Sequence, residues 1–340
     1  MQGSKAWIAG CAGHRLSEDE KAFFSHERPW GFILFGRNIQ SASQLTDLVA
    51  EMKELGGRAS TPVFLDQEGG RIQRLRPPLA PNYPPAATLG ALFAADPAAG
   101  ERAAWLHGRL FALDIMTYGI NADCLPCLDA PVEGAHSVIG DRAYASDPQV
   151  VSRLGRAAAD GLLAGGVMPV MKHIPGHGRG NADSHHDLPV VDARREHLSR
   201  HDFEPFAALR TLPAAMTAHI LYRDIDAGLP ATLSPIVIKQ VIRDEIGFDG
   251  LLMTDDISMK ALRGDIGEIS AKAITAGCDV VLHCNGDMAE MRKVAAAVQP
   301  LRGDAERRAN EAEAVVRHVV PAADEDTLRA EYQELVARPA

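Results

Sequence analysis

The chain has 340 residues, of which 46% are hydrophobic and 24% are charged, an ordinary composition for a globular protein with a substantial core. Its formal net charge of −10 excludes the basic field that attracts nucleic acid or an anionic membrane surface. No apolar run reaches the length of a membrane span and the N-terminal segment lacks signal-peptide features, so we expect a cytoplasmic protein without nucleic-acid or membrane partners.

Short β-rich runs alternate with longer helical segments along the chain. The eight predicted strands are AWIAG from Ala6, GFILFG from Gly31, PVFLD from Pro62, INADCLP from Ile120, VMPVMKH from Val167, AAMTAHI from Ala214, GLLMTDD from Gly250 and DVVLHC from Asp279. Helix-start signals lie between them, such as the capping boxes Ser17/Glu20 and Ser41/Gln44. Each strand is therefore expected to lead into a helix.

Eight strand–helix units with apolar strands predict an α/β fold, a single (β/α)8 TIM-type barrel that allows for irregular strands. An open doubly wound sheet is the competing fold, and the lack of a GxGxxG motif after the first strand disfavours it. We expect residues 1–340 to form one catalytic domain, with the barrel over about 5–300 and outer helices over about 301–340.

Two segments interrupt the alternation and predict ordered loops at one mouth of the barrel. The first, RLRPPLAPNYPPAATLG from Arg74, is too rich in proline for a helix or a central strand. The second, HIPGHGRGNADSHHDLP from His173, follows the fifth strand and concentrates glycine, histidine and aspartate. Long loops in compact barrels are commonly functional, so this second loop is a candidate for catalysis.

Polar residues at the carboxyl ends of barrel strands converge on one mouth, where active sites of this fold lie. The residues in such positions are Asp66, Lys172, His173, His219, Asp255 and Asp256. Adjacent aspartates at the end of the seventh strand suggest one site residue and one helix cap, and the pattern alone leaves open which is which. His219 is expected to line the mouth.

The histidine loop admits two interpretations. His173, His177, His185 and His186 could hold a metal ion, which makes a metal-dependent hydrolase the alternative function, although neither HxH nor HExxH spacing is present. Otherwise Asp183 orients and charges His185 as a general acid and base, and His186 is a solvated loop residue. The lone CxxC of Cys124 and Cys127 is read as part of a buried strand end, not as a metal site.

Several motifs together resemble those of glycoside hydrolase family 3, and most closely its single-domain bacterial β-N-acetylglucosaminidases of peptidoglycan recycling. They are DQEGGRIQR from Asp66, IGDRAY from Ile139, KHIPGHG from Lys172, DSH from Asp183 and MTDDISM from Met253. The resemblance covers roughly residues 5–300 in the expected order. It implies a cofactor-free, metal-free glycosidase that acts as a monomer on small carbohydrates such as muropeptide fragments and N-acetylglucosaminides.

The resemblance also implies a role for individual residues. Asp255 matches the family's nucleophile, His185 its acid/base and Asp183 the partner of that histidine. The positions that match sugar-binding residues are Asp66, Arg74, Arg142, Lys172 and His173. Glu68 and Arg71, although they share the DQEGGR motif, are interpreted as structural.

These roles describe a retaining exo-glycosidase that releases terminal β-linked N-acetylglucosamine through a covalent glycosyl-enzyme intermediate. Besides the metal-dependent hydrolase, a second alternative is a sugar-binding barrel without catalytic activity. Because every matched catalytic position is filled, the retaining glycosidase is the favoured hypothesis.

Overall fold

The eight predicted strands form a closed parallel barrel in the computed structural model, which describes residues 3–184, 186–317 and 324–338. The barrel strands are β1 (Lys5–Ala9), β2 (Pro29–Ile33), β3 (Val63–Leu65), β4 (Ala122–Asp123), β5 (Met168–Ile174), β6 (Ala214–Thr217), β7 (Leu251–Asp256) and β8 (Val280–His283). Each strand pairs in parallel with the next along the chain, and β8 closes the barrel on β1. The predicted TIM-type barrel is thus confirmed.

Helices cover the outside of the barrel. They are α1 (Glu18–Glu27), α2 (Ala42–Gly56), α3 (Ala86–Ala95), α4 (Pro97–Met116), α5 (Pro148–Ala164), α6 (Arg195–His201), α7 (Glu204–Ala208), α8 (Ile266–Ala276), α9 (Met288–Ala297), α10 (Gly303–Val315) and α11 (Glu325–Val336). A helix with π-type hydrogen bonding spans Val237–Glu245. Short 3-10 turns lie at Gly36–Asn38, Gly140–Arg142 and Ala231–Leu233.

Local sequence signals explain where the first two helices begin. The Ser17 hydroxyl accepts the N–H of Glu20, and the Glu20 carboxylate accepts the N–H of Ser17. Ser41 and Gln44 form the same reciprocal pair at the start of α2. Both predicted capping boxes are therefore present, and they satisfy backbone groups that a helix start leaves without partners.

The barrel strands are buried because side chains fill the inside and helices cover the outside. All seven residues of β5 are buried, including the polar Lys172 and His173 at its carboxyl end. The expected irregularity is also found, since β4 has only two residues and the β5–β6 register shifts between Lys172 and Ile174. This strand end carries several of the predicted site residues.

A small antiparallel hairpin follows β3 and overhangs the barrel mouth. Its two strands are Gln67–Gly69 and Ile72–Gln73, and the Pro-rich segment continues from it as an ordered loop. The Gln67 side chain ties the hairpin to this loop by accepting the N–H groups of Arg74 and Leu75. The hairpin thereby places Glu68 beside the strand ends.

The last two helices pack outside the barrel. Glu313 of α10 is fully buried and accepts Nε of Arg58 at 3.0 Å, which ties α10 to the loop before β3. Helix α11 packs along α4. Across the described ranges, every helix is too short or too polar to cross a bilayer.

Candidate active site

A cavity of about 300 Å³ lies at the carboxyl ends of the barrel strands. Its polar lining residues are Asp66, Glu68, Arg74, Arg142, Lys172, His173, Asp255 and Asp256. Its apolar lining residues are Ile33, Phe35, Ile72, Met216, Met259, Leu282 and Cys284. The structure therefore brings together six of the eight residues proposed for the site, namely Asp66, Arg74, Arg142, Lys172, His173 and Asp255.

Three cations and two carboxylates form a connected cluster in this cavity. Lys172 Nζ donates to Asp66 Oδ1 at 2.9 Å and lies 2.6 Å from Glu68 Oε1. Arg74 Nη2 donates to the other Asp66 oxygen at 2.9 Å. Arg142 donates to both carboxylate oxygens of Glu68, from Nε to Oε2 at 2.9 Å and from Nη2 to Oε1 at 2.8 Å. Lys172 thus links two Arg–carboxylate pairs into one network.

The pairing keeps each member of this cluster charged. Burial by itself would raise the pKa of Asp66, but Lys172 and Arg74 hold it well below its usual range. Burial opposes ionisation of Glu68 as well, yet Arg142 and Lys172 lower its pKa to about 2. The two carboxylates in turn raise the pKa of Lys172 despite burial. The cavity therefore offers fixed charge-assisted donors and acceptors at neutral pH.

The two aspartates at the end of β7 have different hydrogen-bond partners. Asp256 accepts from Ser258 N at 3.1 Å, Ser258 Oγ at 2.7 Å and Cys284 N at 3.2 Å. It therefore caps the turn after β7 and not the next helix, which one member of the pair was expected to cap; that helix, α8, is capped by Asp265. The Asp255 carboxylate accepts the neighbouring amide of Asp256 at 2.8 Å and lines the cavity.

The surroundings of Asp255 favour its ionised form. Burial would raise the pKa of this carboxyl, but the nearby His219 and His173, the Asp256 amide and Lys172 outweigh burial and lower it. A carboxylate that stays ionised while it lines a cavity is suited to nucleophilic attack.

His219 is fully buried and is not among the residues that line the cavity, which differs from the expectation that it lines the mouth. Its Nε2 is 3.0 Å from the Asp256 carbonyl oxygen and its Nδ1 is 2.7 Å from the Thr232 hydroxyl. Because a carbonyl only accepts, Nε2 carries the proton. Burial lowers the pKa of His219, which favours this neutral ring. The His219 side chain thus holds the carboxyl end of β7 through its hydrogen bond to the Asp256 carbonyl.

Asp129 fixes the start of the histidine loop. Its Oδ2 lies 2.6 Å from His173 Nδ1, and its Oδ1 accepts the His177 amide at 2.6 Å. The same Oδ1 accepts the His173 amide at 3.3 Å. Burial would raise the pKa of Asp129, but His173 and His177 hold it far below its ordinary value. One ionised carboxylate therefore secures both ends of the His173–His177 segment.

Farther along the loop, Asp183 lies in the described part and His185 lies outside it. The Asp183 carbonyl accepts the amides of His186 and Asp187 in a tight turn. The neighbouring Ser184 carbonyl accepts the Ala261 amide at 3.1 Å. Since Ala261 follows β7, this contact brings Ser184 beside the segment that comes after Asp255 in the chain. His186 is exposed, as predicted for a solvated loop residue, and the adjacent Asp187 is exposed as well.

Cys127, Asp129 and His173 are the described side chains whose ligand atoms cluster closely enough to hold a metal, within 4.8 Å of one another. This set differs from the histidine set of the metal hypothesis and shares only His173 with it. Its members already satisfy each other, because the Cys127 thiol donates to Asp129 at 3.3 Å and His173 Nδ1 donates to the same oxygen. Their arrangement is explained by hydrogen bonding without a metal.

Two further features were not found by sequence reasoning. Glu68, interpreted there as structural, lines the cavity and holds Lys172 and Arg142, and its place two residues after Asp66 was the available signal. Nothing in the sequence marked Asp129 as a site residue except its position shortly after β4. Arg71, by contrast, lies at the surface beside Asp141, as its structural interpretation requires. Cys124 and Cys127 are buried, in agreement with the prediction.

The sequence matches the model of one known protein family. Residues 6–320 match the model of the glycosyl hydrolase family 3 N-terminal domain, and α11 lies beyond that match. A β-hexosaminidase of Methylococcus capsulatus is 39% identical over 277 residues, which cover 80% of this chain and 80% of the relative. A β-hexosaminidase of Bordetella avium is 36% identical over 278 residues, 81% of this chain and 79% of the relative.

Solved structures are similar over almost the whole chain. Native NagZ from Neisseria gonorrhoeae superposes with a TM-score of 0.87 at 33% identity and covers 98% of both chains. The same protein in complex with N-trifluoroacetyl-D-glucosamine gives a TM-score of 0.88 at 32% identity over 99% of both chains. The barrel and the additional outer helices are therefore shared with this structure.

Proposed function

The chain belongs to glycosyl hydrolase family 3, and from this premise we propose that it is a β-N-acetylhexosaminidase that retains anomeric configuration. Its substrate is a terminal, non-reducing β-linked N-acetylglucosamine. One observation carries the proposal: Asp255, whose surroundings favour the ionised carboxylate, lines the same cavity as a network of charged hydrogen-bonding groups. Similarity to a protein solved with an N-acylated glucosamine supports the choice of sugar.

The charged network suits the hydroxyl groups of one sugar ring. Asp66 supplies carboxylate acceptors, whereas Lys172 and Arg74 supply donors within about 3 Å of it. His173 and Arg142 complete the set of sugar-binding residues that we propose. Apolar side chains such as Phe35 and Met259 provide surface for the C–H faces of the ring. A cavity of about 300 Å³ fits removal of a single terminal unit.

In the first step, the Asp255 carboxylate attacks the anomeric carbon and forms a glycosyl ester. His185 donates a proton to the glycosidic oxygen, so that the C–O bond breaks and the remainder of the substrate leaves as an alcohol. The negative charge of Asp183, two residues away on the same loop, favours the imidazolium form that this step requires.

In the second step, the neutral His185 takes a proton from water, and the resulting hydroxide attacks the anomeric carbon from the side opposite Asp255. The ester bond breaks and the carboxylate is regenerated, so two inversions give net retention. The ordinary pKa of histidine, about 6.5, suits proton transfer in both directions near neutral pH. The contact between the Ser184 carbonyl and the Ala261 amide, in the segment after β7, supports the choice of this loop as the source of the acid/base.

We further propose that the natural substrates are muropeptide fragments that carry N-acetylglucosamine, and that the protein acts as a cytoplasmic monomer without a metal or cofactor.

The deciding experiment measures kcat/KM on p-nitrophenyl N-acetyl-β-glucosaminide and on p-nitrophenyl β-glucoside. We expect turnover of the first and a much lower rate on the second. A 5-fluoro N-acetylglucosaminyl fluoride should label the peptide that contains Asp255. Labelling of another peptide contradicts the assigned nucleophile, and binding without turnover favours the non-catalytic sugar-binding barrel.

A further inference from the structure

Helix α11 reaches the active-site hairpin through two buried side chains. Tyr332 on α11 has its hydroxyl 2.6 Å from Nδ1 of His107 on α4. The other ring nitrogen of His107, Nε2, lies 3.1 Å from the carbonyl oxygen of Glu68. Tyr332 and His107 are 4% and 1% exposed, so water does not compete for these bonds. A continuous path thus runs from α11 to a residue of the cavity wall.

The direction of each hydrogen bond in this path is determined by chemistry. Burial lowers the pKa of His107 to about 4, so the ring is neutral at pH 7 and carries one N–H. A carbonyl oxygen can only accept, so that N–H is on Nε2 and points to Glu68. Nδ1 must then accept from Tyr332, whose hydroxyl keeps its proton because burial raises its pKa. Each hydrogen bond in the path therefore has one possible direction: the Tyr332 hydroxyl donates to Nδ1 of His107, and Nε2 of His107 donates to the Glu68 carbonyl.

The backbone beside Glu68 leaves little room for the hairpin to shift. Gly69 has φ +91, and a Cβ at this position would lie 2.3 Å from the Pro84 carbonyl oxygen and 3.3 Å from the His107 ring. The hairpin is therefore packed directly against the histidine that α11 orients. A change in the orientation of His107 would move the Glu68 backbone, and with it the carboxylate that holds Lys172 and Arg142.

We propose that Tyr332 and His107 are positioning residues for Glu68, through which α11 supports the sugar-binding site from outside it. The inference rests on the proposed function only in taking Lys172 and Arg142 as sugar-binding groups. It predicts that loss of the Tyr332 hydroxyl weakens substrate binding more than it slows the chemical step, because neither residue touches the reacting atoms. Such a loss raises KM with little change in kcat.

The test compares Tyr332→Phe with Glu331→Gln. The second variant breaks the Arg102–Glu331 pair, which also joins α4 and α11 but has no contact with His107. We expect Tyr332→Phe to raise KM for p-nitrophenyl N-acetyl-β-glucosaminide about fivefold with kcat within about twofold of wild type, and Glu331→Gln to leave both unchanged. An unchanged KM in Tyr332→Phe, or an equal rise in both variants, overturns the proposal.

An independent readout does not require activity. The ¹⁵N chemical shifts of the His107 ring in the wild-type protein should report an Nε2–H tautomer at pH 7, and Tyr332→Phe should perturb them whereas Glu331→Gln should not. An Nδ1–H tautomer in the wild type overturns the proposed path even if the variant folds poorly. A wild-type protein that shows the Nε2–H tautomer but does not hydrolyse the glycoside contradicts the proposed function instead.

Discussion

Nδ1 of His173 lies 2.6 Å from Oδ2 of Asp129, and both side chains are buried. Because the pKa of Asp129 is held far below its usual range, its carboxylate is ionised and can only accept, so Nδ1 of His173 carries a proton. This relationship fixes the ring orientation of a cavity residue and anchors the loop that leads to Asp183.

Replacing Asp129 with asparagine should therefore impair both stability and sugar binding. The substitution removes the ionised acceptor of three buried N–H groups, which we expect to cost about 1–3 kcal/mol of unfolding free energy. We expect KM to rise about tenfold, because His173 loses the partner that fixes its ring orientation in the cavity. Urea unfolding and steady-state kinetics measure the two effects. The matched control is Cys127→Val, which removes only the weak hydrogen bond donated by the Cys127 thiol. This variant should unfold at close to the wild-type urea concentration and change KM by no more than about twofold.

Asp255→Asn should abolish turnover while sugar binding persists. The amide is nearly isosteric but cannot form the glycosyl ester, so we expect kcat to fall roughly thousandfold or more. Calorimetry with N-acetylglucosamine should give a Kd within a few-fold of wild type, because Asp66, Lys172 and Arg74 are untouched. Hydrolysis at close to the wild-type rate would exclude Asp255 as the nucleophile.

His185 and its neighbour His186 provide a matched pair for the acid/base assignment. His185→Ala should lower kcat/KM roughly 10²- to 10⁴-fold for a poor leaving group and less for an acidic phenol, which needs little protonation. His186→Ala should stay near wild type because its side chain is exposed. Equal losses in the two variants, or an equal loss with both leaving groups, would argue against His185 as the proton donor.

Two buried histidines should make the protein less stable as the pH falls below neutrality. Burial lowers the pKa of both His107 and His177 to about 4, against about 6.5 in the unfolded chain. The unfolded state therefore binds more protons between these values, and stability is lost as the pH falls through this window. Between pH 7 and pH 5 we expect a loss of about 2 kcal/mol for each histidine.

Urea unfolding of the wild type and of His107→Gln at pH 7 and pH 5 isolates the His107 part of this loss, because other groups, such as the buried Asp123 with its raised pKa, titrate in both proteins. The low-pKa carboxylates Asp66, Glu68 and Asp129 contribute only below about pH 4.5, because their unfolded pKa values lie near 4. His107→Gln should therefore show a smaller pH dependence than wild type across the same interval. An equal slope in the two proteins would mean that His107 is not neutral when folded.

Removal of metal ions should leave activity intact. Cys127, Asp129 and His173 satisfy one another by hydrogen bonds, and the proposed reaction uses only protein groups and water. Exhaustive chelation followed by assay should give an unchanged kcat/KM. A loss that added Zn²⁺ restores would instead support the metal-dependent hydrolase.

The sequence by itself determined the parts that depend on local pattern. Apolar runs and capping boxes predicted the eight strands and the first helix starts, since burial and backbone hydrogen bonding act over a few residues. Once the barrel was inferred, its topology brought the strand ends Asp66, Lys172 and Asp255 to one mouth. Motif resemblance then distinguished Asp255 from Asp256, which period-2 patterning could not do because barrel strands are buried on both faces.

Only the tertiary structure decided which charged groups meet. Glu68 pairs with Lys172, Asp129 binds His173 44 positions away, and Tyr332 reaches His107 across 225 positions. Such contacts leave no periodic signal, because each depends on how separate elements pack rather than on the neighbours of a residue. For the same reason His219, expected at the mouth from its strand-end position, proved to be buried against the Asp256 carbonyl instead.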